Sequence, residues 1–466
     1  MKTPWIKYSI WMLVFWMASG SAVVKADVVL HAFDWPYTRV AAQADEIANL
    51  GYKAVLVVPP LKSGSDCAWY FRYQPQDYRV IDHCRGNTET FKTMVAALRN
   101  KNVKVYADLV LNHMANERDG ALDFPGTFAL KDYRQRRAYF SRQRLFGDLT
   151  KNFLSANDFH EARCITDYND VYQVQNWRLC GGAGDRGLPD LKANAWVIKQ
   201  QRLYVGMLNA YGVEGYRVDA AKHMTNEHLR AVLSPDLIGN RRIYAEIITG
   251  GGAGTLEYDR FLAPYLRDMP SNFGAYDFPL LNTIKRAFGF GQSLNQLVDP
   301  GAYGQALYAP RALTMPITHD IPNNSGFRYL LLDPTDEKLA YAYLLGRDGG
   351  EPMVYSDYTA GDNGRWFDAH KSVDMQAMLR FHNAMQGTSQ EVLAHNDCAI
   401  LWRRGQNGVA GINKCGSEVL LDVDTNNRFF WFRNYRELFS NGTLRIESGR
   451  YGFRLPGRSA RMWVVE

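Results

Sequence analysis

Three acids close apolar runs that lie far apart in the chain: Asp219 ends Gly-Tyr-Arg-Val-Asp, Glu246 follows Arg-Arg-Ile-Tyr-Ala, and Asp320 follows Ile-Thr-His. In an extended run residues two apart share a face, so Arg217 and Asp219 project together. A neighbouring guanidinium favours the ionised carboxylate that a nucleophile needs, whereas an acid buried in an apolar run, as Glu246 would be, is pushed toward the protonated form that a general acid needs. Two carboxyl groups of unlike proton affinity are the requirement for glycosidic cleavage with retention, one attacking the anomeric carbon and the other protonating the leaving oxygen. A third anion, Asp320, could stabilise the positive charge that develops, and His319 beside it could donate to a sugar hydroxyl. Each acid alone reads equally as a structural ion pair or a strand-end residue; the three together carry the weight.

Acids at the ends of strands need a scaffold that brings strand ends to one place. From residue 27 to about 387, short β-forming runs alternate with amphipathic stretches, the pattern of a parallel sheet wrapped by helices. Strands are expected at 28–33, 54–58, 103–111, 215–219, 243–247, 273–278, 313–318 and 353–355, with helices at 39–50, 88–100, 195–211, 338–346 and 373–385. Eight such units predict a closed (β/α)8 TIM barrel, an α/β fold whose sites lie at the carboxyl ends of its strands. The connection between about 115 and 193 is too long for a plain loop and predicts a small inserted domain after strand 3. Beyond residue 388 the helical period stops. Short alternating runs at 399–403, 409–413, 418–422, 444–446, 452–455 and 461–465 predict a C-terminal antiparallel β-sandwich. The expected division is therefore 27–114 with 194–387 for the barrel, 115–193 for the insert and 388–466 for the sandwich.

Residues 1–26 carry Lys2 and Lys7, then an apolar stretch, then small residues ending at Ala26. They read as a secretory signal peptide, too short and too interrupted for a membrane anchor. Its three lysines account for half of the formal charge of +6, and no Lys/Arg block offers a phosphate stripe, so nucleic acid is excluded as a partner class. Six cysteines in an exported chain favour disulfides over thiolate metal sites. Of the fifteen connectivities, Cys67–Cys84, Cys164–Cys180 and Cys398–Cys415 each fall within one predicted loop or hairpin. Aromatic residues make up 13% of the chain, which supplies flat faces for sugar stacking, although Trp402 and Trp431 read as core.

The segments Asp108-Leu-Val-Leu-Asn112-His113, Gly215-Tyr-Arg217-Val-Asp219-Ala-Ala-Lys222-His223, Ala245-Glu246 and Thr318-His319-Asp320 resemble, in order and spacing, the four signature segments of the α-amylase family of glycoside hydrolases. Gly187-Leu-Pro-Asp190-Leu resembles a further motif of that family. The resemblance implies Asp219 as nucleophile, Glu246 as acid/base and Asp320 as the transition-state acid, with Arg217 holding the nucleophile. It implies His113, His319 and Tyr73 as sugar-binding residues at the cleavage point, Tyr70 as a further stacking candidate, and Lys222 as a contact to a glucose beyond the cleaved bond, as in true α-amylases. It also implies one or more Ca²⁺ ions held by the Asn112 side chain, the Asp190 carboxylate and the backbone carbonyls of His223 and Gln175, an oxygen set suited to that hard cation. Two departures stand out. Thr318 replaces the asparagine of chloride-binding relatives, so chloride activation is not expected, and Ala245 replaces a common glycine.

The implied activity is a secreted, retaining, calcium-dependent hydrolase of internal α-1,4 bonds in starch, glycogen or maltooligosaccharides, acting as a monomer in the medium or periplasm. An exo-acting or transglycosylating enzyme would use the same acids. A binding or assembly protein that kept the barrel would normally lack one of them.

Overall fold

The computed structural model describes residues 27–116, 122–182, 184–357, 366, 368–430 and 433–466. The expected signal segment 1–26, and Trp431, lie outside the described residues. Eight parallel strands close into a barrel: β1 Val29–Phe33, β2 Ala54–Val57, β3 Lys104–Val110, β4 Gly215–Asp219, β5 Arg242–Ala245, β6 Phe273–Tyr276, β7 Ala312–Thr314 and β8 Glu351–Asp357, with β8 pairing back on β1. Their β-branched and aromatic residues are almost all buried, as strands covered on both faces must be. Gly215 is required where it stands, because a Cβ there would meet the Tyr106 ring of β3 at 2.5 Å.

Register sets the height of each side chain in the barrel. Asp108 of β3 is level with Arg217 of β4, and Arg217 with Tyr244 of β5. Val218 pairs with Ala245, and the Glu246 N–H donates to the Val218 carbonyl at 3.0 Å, so Asp219 and Glu246 leave adjacent strands at one level. Neighbouring strands run about 4.8 Å apart, which brings the two carboxylates to the same mouth as neighbours.

The sequence finds all eight strands; it carries those at 243–247 and 273–278 two residues too far and that at 313–318 four too far. The run expected to continue to residue 318 leaves the ladder after Thr314, since Pro316 has no N–H to give. Asp320 instead opens a single helical turn, Asp320–Asn323. The first expected helix is broken at Gln43 into Tyr37–Ala42 and Ala44–Leu50. The long connection after β3 carries helices Gly126–Gln135, Arg137–Gln143 and Val171–Asn176 and rejoins the barrel at helix Ala195–Tyr211.

The C-terminal part holds strands β9 Gln390–His395, β10 Ala399–Arg404, β11 Gly408–Asn413, β12 Val419–Asp424, β13 Asn434–Glu437, β14 Thr443–Arg445, β15 Arg450–Leu455 and β16 Ser459–Val465. Six form one antiparallel sheet in the order β9-β10-β11-β16-β13-β14, and β12 and β15 form a separate ladder. Leu401, Val409, Tyr435 and Trp463 of the large sheet share a core with Leu421 and Phe453 of the ladder. The other face of the sheet, with Trp402, Ile400 and Met462, merges with the barrel core. Strands β9 and β13 escape the sequence reading: a bulge between Val392 and Ala394 breaks the alternation in one, and the other has Tyr435 as its only apolar residue. All three expected disulfides form. No helix among the described residues is long and apolar enough to cross a membrane.

Trp402 fastens the two parts together. It is 1% exposed, and its indole N–H donates to the Gly346 carbonyl at 2.9 Å, at the end of helix Pro334–Gly346. Trp402→Ala is expected to cost about 3–5 kcal/mol in denaturant unfolding, the range for emptying a core aromatic site. Trp402→Phe, which keeps most of the packing, is expected to lose only about 1 kcal/mol with the hydrogen bond.

Candidate active site

Arg217 lies wholly inside the barrel mouth, and its guanidinium is the meeting point of the cluster. Its Nη1 donates to both oxygens of Asp108, at 2.8 and 2.7 Å, and to Asp219 Oδ1 at 2.8 Å. Its Nη2 touches Glu246 Oε1 without hydrogen-bond alignment. Asp219 and Glu246 are thus held on the two terminal nitrogens of one cation. The other Glu246 oxygen accepts the Ala220 N–H at 3.1 Å, an orientation made possible because Ala220 takes the left-handed conformation (φ 48°) directly after β4.

Asp108, Asp219 and Glu246 reach this single guanidinium and Asp320 lies within range of its charge, and burial raises the pKa of all four. Asp108 is pushed up to about 7 by burial, against the pull of Arg217. Burial also raises Glu246, with Arg217 opposing and the Asp219 charge adding to the rise. Asp320 is raised furthest, first by burial and then by the Glu246 charge. Arg217 pulls Asp219 down by charge and hydrogen bond, as the sequence leads one to expect, while burial pushes the other way and the net direction is upward.

His319 and Tyr73 form the aromatic wall. The two rings stack at 4.9 Å and 7°, and Phe33 stacks on His319 at 4.7 Å and 20°. The Tyr73 hydroxyl donates to Asp108 at 3.1 Å, and His113 Nε2 donates to the Tyr73 carbonyl at 2.9 Å. Burial drives the His319 pKa well below its ordinary value and lowers His113 to about 4, so both rings are neutral at pH 7. His319 Nε2 stands 3.5 Å from Asp320 Oδ2. Tyr70 is 48% exposed at the rim, edge-on to Trp69, which in turn meets His319 and Tyr73. Lys222 gives its backbone N–H to the Glu246 carbonyl at 3.2 Å, and its Nζ pairs with Glu257 at 2.6 Å.

The remaining candidates form a second group beside this one. Asp190 is in bridge contact with His113, and the Leu191 N–H donates to the Asn112 carbonyl at 2.9 Å, joining the long connection to the end of β3. His223 Nδ1 donates to the Val174 carbonyl at 3.0 Å, and the Gln175 side chain donates to the Met224 carbonyl at 3.3 Å, joining the same connection to the turn after β4. A hard cation suits this junction. Asp190 Oδ1 is buried with no hydrogen-bond partner, and burial lifts its pKa to about 6 although His160 holds Oδ2 at 2.5 Å. One carboxylate, one amide and backbone carbonyls make an oxygen set, and among the described residues no group of three His, Cys, Asp or Glu offers a softer alternative.

Sequence reasoning left three participants without a role. Asp108 was within reach, since Asp108, Val110 and Asn112 follow the two-residue period of β3 and so share a face. Glu257 and His160 stand in no motif, and only the fold brings them to Lys222 and Asp190.

A closed parallel barrel whose mouth gathers paired carboxylates about a buried arginine defines a glycoside hydrolase of the barrel class. A sequence model of the α-amylase catalytic domain matches residues 39–244. An α-amylase of Aeromonas hydrophila is 50% identical over 94% of this chain and 95% of its own, and an α-amylase-related protein of Drosophila auraria is 28% identical over 86% and 83%. The crystal structure of α-amylase I from Eisenia fetida superposes with a TM-score of 0.76 over 94% of this chain and 97% of that one, at 22% identity. The chain belongs to the α-amylase family of glycoside hydrolases.

Replacing Arg217 with Met would strand buried carboxylates without their cation, a change that costs about 3–5 kcal/mol. Without it their folded-state pKa values rise further above the unfolded ones, so stability falls as pH rises through those raised values. Arg217→Met is therefore expected to unfold well below wild type at pH 7, with the deficit narrowing as pH falls toward 4, in melts followed by circular dichroism.

Proposed function

We propose that this chain is an α-amylase that cleaves internal α-1,4 bonds of starch, glycogen and maltooligosaccharides with retention. The observation that carries this reading is the shared guanidinium: Asp219 and Glu246 leave adjacent strands at one level and reach the same Arg217. Retaining glycosidases need their two carboxyl groups about 5–5.5 Å apart, and that arrangement suits the requirement.

Glu246, raised by burial, gives its proton to the glycosidic oxygen as Asp219 attacks the anomeric carbon. The C–O bond to the leaving sugar breaks while the Asp219–carbon bond forms. Glu246, now ionised, then takes a proton from water, whose oxygen displaces Asp219 and restores both groups. Asp320 grips the sugar and stabilises its oxocarbenium-like charge. His113 and His319, both neutral, hydrogen-bond the sugar's hydroxyls, Tyr73 and Tyr70 supply aromatic faces, and Lys222 contacts the leaving-group side. Asn112, Asp190 and the carbonyls of His223 and Gln175 hold Ca²⁺, which when bound ties residues 115–193, a separate inserted domain in this reading, to the barrel. Residues 1–26 direct export to the medium or periplasm, where the disulfides persist and the enzyme works as a monomer.

Two outcomes follow. The wild type is expected to release mixed oligosaccharides early from soluble starch, while Glu246→Gln loses about 10²–10⁴-fold in turnover yet melts no lower, since it removes only a buried acid; a fully active Gln variant would remove the assignment. Chelation with EGTA is expected to lower the melting temperature, with calcium but not sodium restoring it and Asp190→Asn no longer responding; an unchanged melt would dismiss the ion.

A further inference from the structure

We propose that the substrate groove continues beyond the catalytic mouth into the cleft against helix Gly126–Gln135, where Phe128 is the stacking platform of a distal subsite for an α-1,4-glucan. The proposal rests on the α-amylase reading of the mouth and goes beyond it by naming where a long chain is held.

Two adjoining hollows mark the path. The nearer, of about 240 Å³, is bordered by Tyr70, Phe71 and Gln74 and so begins at the rim of the catalytic cluster, where Tyr70 leans edge-on against Trp69 and Trp69 against His319. The farther, of about 730 Å³, shares Gly64, Gln76, Ala115 and Asn116 with the nearer one and runs on to Phe128. That volume is within the range of ordinary ligand sites and leaves room for more than one sugar unit.

The wall chemistry favours a neutral polyol. Phe128 is 71% exposed and has no aromatic neighbour among the described residues. Its helix does not need it for anchorage, because Tyr133 already packs with Val80 and Phe140. A large aromatic left on the wall of a cleft offers a flat face to the C–H side of a pyranose. The amides of Gln74, Gln76 and Asn116 make no side-chain hydrogen bond among the described residues and can serve hydroxyl groups as both donors and acceptors. The cations pair with acids, Lys62 with Asp82 at 3.0 Å and Arg136 with Asp132 at 3.3 Å, and Asp123 adds a further negative charge to the lining. A polyanion would find no free cationic row among the described residues of this wall, and a wholly apolar ligand would bury unpaired amides.

The test uses the full-length chain with Glu246→Gln, so that oligosaccharides bind without being cut, and titrates maltoheptaose and maltotriose calorimetrically. Adding Phe128→Ala is expected to weaken maltoheptaose about fivefold and leave maltotriose unchanged, with Phe128→Tyr restoring the long ligand. In the active enzyme the same Ala variant should lose kcat/KM on amylose and keep it on maltotriose. Equal effects on both ligands, or none on maltoheptaose, would overturn the distal subsite while leaving the catalytic reading intact. If Glu246→Gln alone stays fully active or binds neither sugar, the catalytic reading falls and the subsite with it.

Discussion

One buried guanidinium, contacted by three carboxyl groups and within range of a fourth, governs the mouth of this barrel. Arg217 cannot shed its proton, so it fixes a single positive charge in a buried place. Ionising Asp108, Asp219, Glu246 and Asp320 together would leave a large uncompensated negative charge in a medium that solvates charge poorly. The cluster must keep protons, and burial therefore raises all four acids. The asymmetry between the two acids nearest the guanidinium follows from geometry. Asp219 receives an aligned hydrogen bond from Nη1, whereas Glu246 touches Nη2 out of alignment and relies on the Ala220 N–H. The two acids therefore meet the same cation through different contacts.

The barrel can impose this arrangement because side-chain height is fixed by backbone pairing. The Asp108–Arg217–Tyr244 level lies one step below the Asp219–Glu246 level, and neither can shift without slipping the ladder and turning its side chains to the other face. Lower still, Glu351 of β8 accepts hydrogen bonds from Tyr106 and Tyr244, so the polar interior is paired beneath the site as well. Residues on the loops have no such constraint. Asp320 reaches the cluster only because the chain leaves β7 early and returns through one helical turn, with His319 held between Tyr73 and Phe33.

The same distinction explains what was legible in the sequence. All eight barrel strands, the three disulfides and the acids at strand ends could be read, because period, spacing and residue type each report local backbone geometry. The end of β7 was overrun because Ile317 and Thr318 look like strand, and only the missing N–H of Pro316 argues otherwise. Strand β9 was missed because its bulge erases the alternation that defines a strand in sequence. Asp108 stood in a recognised segment, but its importance comes from register with Arg217, which a single strand cannot reveal. Glu257 and His160 gain their meaning only from residues 35 and 30 positions away.

Motifs in this chain therefore describe the floor of the site, and the floor is common to enzymes that cut internally, cut from an end, or transfer sugars. What separates those outcomes is the wall: whether each end of the groove is open, and what a long chain meets there. On one side Lys222 is drawn to Glu257, whose other oxygen accepts the Gly250 N–H at 2.7 Å, so the loop after β5 and the turn after β4 are tied into one rim. On the other side two adjoining hollows run from Tyr70 to helix Gly126–Gln135, which belongs to the long connection rather than to the barrel. An opening of that kind would leave room for a polymer to extend past a reacting sugar. The Leu191–Asn112 and His223–Val174 hydrogen bonds join that connection to the barrel, so the elements that shape this wall are held by the same turns that carry the site.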